Sequence, residues 1–160
     1  MDAFKLLGSF IENDLKWNKN CEKIISKARQ RLYFLRKLKS FHVNKSILMN
    51  FYIYIIQSVI TTSIIVWYDK ISCVHKTKLN SIIRTCENII NTSLPSLEEI
   101  YLQRMKDKTC KILKDQFHPA RKYLEFLPSM KRMRTFKGNK RFTNSFFPQA
   151  IKLFNETRDK

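Results

Sequence analysis

"NKSILMNFYIYIIQSVITTSIIVWYDK", residues 44–70, is the stretch on which the fold turns. Its run from Phe51 to Tyr68 holds no charged side chain and is long enough to raise the question of a membrane span. Gln57, Ser58, Thr61, Thr62 and Ser63 stand in its middle, where lipid tolerates polar groups least. Asn50, Tyr54, Gln57, Thr61 and Tyr68 recur at helical spacing as a polar stripe. The segment therefore predicts the central helix of a bundle, opened by an Asn44 cap and buried on most sides. A membrane is not an expected partner.

The flanks supply the rest of such a bundle. Ahead of it, "FKLLGSFI" reads as a strand, "END" as a turn and "LKW" as a return, so residues 1–17 predict a short β-hairpin. From Cys21 the period becomes helical: Ile24, Ile25, Ala28, Leu32, Leu35 and Leu38 form one apolar stripe. Behind it, Leu79, Ile82, Ile83, Cys86, Ile89 and Ile90 make the apolar face of a third helix, with Lys76, Lys78, Arg84 and Glu87 directed elsewhere. "NTSLPS" breaks the chain, and Ser96 with Glu99 forms a capping box opening a fourth helix to about Gln116. The expected protein is mainly α: a hairpin, a four-helix bundle over 18–116, and an irregular basic extension over 117–160. A short last helix over 148–155 packs through Ile151 and Phe154.

Charge points to the partner. Thirty-one Lys and Arg against 13 Asp and Glu give a net +18, which favours a polyanion, nucleic acid above all. The cations concentrate in two places. On the first helix they are Lys27, Arg29, Arg31, Arg36, Lys37 and Lys39, with Glu22 the one acid among them. In the extension they are Arg121, Lys122, Lys131, Arg132, Arg134, Lys137, Lys140 and Arg141. Residues 131–141 read as a flexible, phosphate-seeking arm, with Phe136 and Phe142 placed to stack on unpaired bases. "FFPQAI", residues 146–151, reads as an apolar latch returning that arm to the bundle.

Nothing in the chain predicts catalysis. Asp2, Glu12, Asp14, Asp69, Asp107 and Asp115 form no close pair suited to magnesium, and Glu98 and Glu99 suit a helix N-terminus. His42, His75 and His118 sit in no metal or nucleophile motif. The four cysteines form no CxxC pair, so metal and cofactors are not expected. With only Gly8 and Gly138, no phosphate-cradling loop is available. The N-terminus has no apolar signal core, and an intracellular location, nuclear or cytoplasmic, is expected.

Two family resemblances follow from the order of the motifs. "FKLLGSFIENDLKW", "ISKARQRLYFLRKLKSF", "ILMNFY", "WY", "LPSLEEIY", "HP" and "LPS…R…NSFFPQAI" resemble the region after the palm in reverse transcriptases of non-LTR (LINE-type) retrotransposons. That resemblance runs from Phe4 to Phe154 and implies a primer-grip hairpin with Leu7 and Gly8 at its tip, then a thumb-like bundle and tail. It implies a fragment without the catalytic aspartates, partnered by nucleic acid and by the missing palm and fingers. Met130 departs from it, standing where such tails often carry glycine. The helical region is also similar to the N-terminal region described for the AlkB homologue 8 family, whose facial triad and methyltransferase loop have no counterpart here. The expected function is non-catalytic binding of nucleic-acid backbone; the alternative is a helical protein-interaction module with incidental charge.

Overall fold

The computed structural model describes residues 3–158, so Asp2 and the first residues of the expected hairpin segment lie outside the described residues. The protein is mainly α with one short antiparallel hairpin, as the sequence predicts. It forms two compact units, Met1–Leu97 and Glu98–Lys160, which places nearly all of the fourth helix with the basic extension.

The hairpin turns earlier than expected. Strand β1 (Ala3–Leu6) pairs with β2 (Ser9–Glu12), Leu6 opposite Ser9, leaving Leu7 and Gly8 as a two-residue loop. Both have positive φ, 46° and 87°, the type I′ geometry that matches strand twist. "END" is instead the link into the first helix, closed by a bond from the Leu15 N–H to the Glu12 carbonyl.

Helix α1 (Asn18–Ser40) starts three residues before the apolar period becomes clear. Trp17 offers its N-terminus no side-chain cap, and the Glu12 carboxylate accepts from the Lys19 N–H instead, at 3.2 Å. Cys21, Ile24, Ile25, Ala28, Leu32 and Leu35 are buried. The helix stops in a Schellman motif: His42 takes a left-handed φ of 55°, donating to the Lys39 carbonyl while Val43 donates to that of Leu38.

The decisive segment is helical but neither regular nor buried on most sides. It comprises α2 (Lys45–Phe51), a π-helical stretch (Tyr52–Gln57), α3 (Ser58–Ile60) and, after a break with Ser63 left-handed, α4 (Ile64–Trp67). Its buried residues Leu48, Tyr52, Ile56, Ile60 and Ile64 recur every fourth position. In a regular α-helix that spacing drifts by about 40° per step. A π turn, closed five residues back by the Ser58 N–H on the Ile53 carbonyl, widens the coil and keeps the stripe on one face. Arg31 donates through Nη1 to the Ile55 carbonyl within that turn.

Only 28% of the most apolar window in Lys45–Lys70 is buried, and Ile47, Ile53, Tyr54, Ile55 and Val66 are exposed. The predicted polar stripe does not hold either, because Thr61 and Tyr68 are buried. By length and composition the segment is apolar enough to cross a membrane. Thr61 and Thr62 donate their hydroxyls to carbonyls four residues back, at 2.8 Å each, so these side chains satisfy their polarity locally.

Helix α5 (Cys73–Ile90), capped by Ser72, packs along α1 through Leu79, Ile82, Ile83 and Cys86. Asn91, left-handed at φ 58°, ends it, and its carbonyl accepts from Lys45 Nζ at 2.9 Å.

In the second unit, α6 (Leu97–Lys114) leads to a core of Ile112, Leu124, Met133 and Ile151, with Phe126, Phe147 and Phe154 packed on it. Two helices close the chain, α7 (Lys140–Thr143) and α8 (Phe146–Arg158). The apolar latch thus closes onto the end of α6 and onto the extension itself. The arm is not freely flexible along its first half. Phe126 pairs with Met133 as an isolated bridge, around a turn in which Met130 adopts φ 55° where glycine would be unstrained. Asn155 then grips Met133 from both sides, accepting from its N–H at 2.8 Å and donating to its carbonyl at 3.1 Å.

Two predictions follow from the core of the first unit. The Tyr52 hydroxyl is buried without a hydrogen-bond partner among the described residues. Tyr52→Phe should therefore leave stability unchanged or raise it by about 1 kcal/mol in urea denaturation; a clear loss would contradict this burial. Burial pushes the Cys21 and Cys86 thiols from the ordinary value near 9 up to about 12, with Glu12 and Glu22 adding to the first. Cys73 and Cys110 are exposed. At pH 8 a thiol reagent should modify Cys73 and Cys110 quickly, and Cys21 and Cys86 only on unfolding. Because the folded-state values are raised, both thiols favour the folded state below pH 9, and that contribution fades as pH rises toward 12.

Candidate nucleic-acid interface

The α1 cations do not share one face. Burial of the stripe through Ala28 and Leu32 divides them between two flanks. Arg29 and Arg36 lie on one flank, where α5 brings Lys78 opposite them. The three line a groove of about 530 Å³, floored by the buried Leu32 and Ile82 and edged by Thr77, Ser81 and Thr85. Among the described residues no carboxylate lines it. A smaller pocket of about 400 Å³ shares Arg29 and Lys78 and is also lined by Glu22 and His75.

Lys27 lies on the other flank with Lys23, beside the hairpin tip. Leu7, Gly8 and Asn20 join these lysines around a pocket of about 240 Å³. Asn20, only 2% exposed, accepts from the Phe10 N–H at 3.0 Å, while its Nδ2 has no partner among the described residues. Leu7 is 94% exposed although it carries a backbone conformation that disfavours leucine. An apolar tip held in strain is the kind of local inconsistency expected at a contact site rather than in a scaffold.

The remaining α1 cations have structural uses. Arg31 is tied to the π turn. Lys37 and Lys39 occupy the last turn, where positive charge suits the helix dipole, and Lys37 Nζ lies 5.8 Å over the Tyr33 ring.

In the second unit Arg121, Lys122, Lys131, Arg132, Arg134, Lys137, Lys140 and Arg141 are all exposed. Lys122 lies over the Tyr123 ring at 5.3 Å, and Arg134 pairs with Glu125 at 3.9 Å. Phe136 and Phe142 meet edge to face at 5.8 Å, over Gly138, where an added Cβ would come within 2.6 Å of the Phe142 ring. Lys137, Lys140 and Arg141 are the exposed neighbours of this pair in sequence.

Two of the three histidines make local ring bonds: His75 Nδ1 with Ser72 Oγ, and His118 Nδ1 accepting from the Ala120 N–H. Among the described residues no group of three or more His, Cys, Asp or Glu is arranged to hold a metal ion. Sequence reasoning missed Lys78, Thr77, Ser81 and Thr85. The one available signal was a hydroxyl at every fourth position of α5, beside a lysine.

A family model described as "Alkylated DNA repair protein alkB homolog 8, N-terminal" matches residues 17–58, about a quarter of the chain. That stretch is α1 with the helix as far as the π turn, and it is similar to that N-terminal region. No curated protein matches the chain, and no solved structure does. Nothing in these comparisons corresponds to a reverse transcriptase.

The strained tip gives a prediction. Leu7→Asn places a residue suited to left-handed φ in the turn and should raise stability by about 1 kcal/mol in thermal or urea unfolding. A loss of stability would show that Leu7 is held by contacts rather than by the turn.

Proposed function

We propose that this protein is a non-catalytic nucleic-acid-binding unit that neutralises phosphates with the α1 and α5 cations and reads little base sequence. The observation that carries this reading is the acid-free groove in which Arg29, Arg36 and Lys78 face a common space. A net charge of +18 supplies the long-range attraction. The ordered motifs support a more specific form of the reading, a thumb-like region with a primer-grip hairpin at Leu7 and Gly8, as in LINE-type reverse transcriptases. On that form, palm and fingers are further partners and this segment performs no chemistry of its own. The match over residues 17–58 supports a likeness to the start of an AlkB homologue 8 protein, and no dioxygenase or methyltransferase activity is proposed from it.

A second reading has its own observation. Ile47, Ile53, Tyr54, Ile55 and Val66 leave an apolar surface exposed along Lys45–Trp67, suited to a protein partner's core.

Affinity for an RNA–DNA hybrid and for single strands, followed across a salt series, separates the two. Nucleic-acid binding predicts that log K falls with log[salt], with a slope of roughly −2 to −3.6 for about three to four phosphates. Arg29→Glu with Arg36→Glu should weaken binding at least tenfold and reduce that slope by about 1.5–2. Affinity that is absent or indifferent to salt would overturn the proposal, and partner capture unaffected by charge reversal at Arg31, Arg36 and Arg132 would favour the second reading.

A further inference from the structure

The hydroxyls at the edge of the α1–α5 groove carry information that its cations do not. Thr77 donates its hydroxyl proton to the Cys73 carbonyl at 3.0 Å, and Thr85 donates its own to the Ser81 carbonyl at 2.8 Å. A threonine hydroxyl has one proton and two lone pairs. With the proton committed to the helix backbone, each oxygen offers the groove acceptor capacity only. Phosphate oxygens are acceptors too and gain nothing from such a group. A ribose 2′-hydroxyl, in contrast, is a donor that deoxyribose lacks, and it is the group that separates RNA from DNA at a protein surface. Thr77 and Thr85 stand eight residues apart on α5, about 12 Å along its axis, with Lys78 between them and Arg29 and Arg36 across the groove. Cations for phosphates and acceptors for sugar hydroxyls therefore line the same space.

We infer that the α1–α5 groove selects RNA over DNA, Arg29, Arg36 and Lys78 holding phosphates while the Thr77 and Thr85 oxygens accept 2′-hydroxyl protons. The selection rests on the nucleic-acid reading above and adds to it the class of strand. It makes no use of base identity.

The test compares labelled 12-nucleotide strands of one sequence as RNA, DNA and 2′-O-methyl RNA, by fluorescence anisotropy at one salt concentration. RNA should bind about tenfold tighter than DNA, the product of two net hydrogen bonds. The 2′-O-methyl strand, having no proton to donate, should fall toward the DNA value in the unaltered protein. Thr77→Val with Thr85→Val keeps the side-chain shape and removes the oxygens. It should bring RNA affinity to the DNA level and leave DNA affinity unchanged. Equal affinity for RNA and DNA would overturn the inference and leave the proposed function standing. So would an RNA preference that survives both the methylated strand and the double substitution. Failure to bind any of the strands would overturn both.

Discussion

Helix α1 has one stripe to bury, and the first unit is organised by how that stripe is covered. Ala28, Leu32 and Leu35 are buried beside Cys21, Ile24 and Ile25, with the hairpin, the Lys45–Ile60 helix and α5 packed against the same helix. Each Leu or Ile so buried contributes about 1.5–3 kcal/mol, whereas an exposed ion pair contributes about 0–1 kcal/mol. Packing therefore decides where the charges go. Because neighbours occupy the stripe, the cations beside it are pushed to two flanks, and each flank meets a different element. The groove with α5 and the pocket at the hairpin tip are both consequences of that division.

The Lys45–Trp67 segment shows what happens when a core pattern and helix pitch disagree. A four-residue repeat from Leu48 to Ile64 cannot stay on one face of a regular α-helix, and the chain resolves this with a π turn and a break at Ser63. The hydropathy of the segment was legible in the sequence. Its exposure was not, because composition records how apolar a helix is and not how many neighbours cover it. The polar stripe misled for a related reason: it assumed a constant 3.6-residue period through residues that do not keep one.

The helices, the Asn44 cap and the presence of a hairpin could be read from local pattern, since Asn44 and the α1 stripe act within a few residues of themselves. Features set by distant pairings could not. The hairpin turns on Leu7 and Gly8, a pair outside the usual Asn-Gly signal, while the polar "END" stood nearby as a more conventional turn. Met133 looked like part of a loose basic arm because Asn155, its hydrogen-bond partner, lies 22 residues away. Most of the candidate cations were visible as charge, yet Arg29 and Arg36 gain their significance from Lys78 across the groove, and that alignment belongs to the packing of two helices.

The central claim is that nucleic acid lies in the groove between α1 and α5. Photo-crosslinking a 4-thiouridine-bearing RNA strand to the full chain, with the modified peptides mapped by mass spectrometry, tests it most directly. Crosslinks should fall in residues 29–36 of α1 and 77–85 of α5. Crosslinks confined to residues 131–142, or spread evenly over the basic surface, would contradict it.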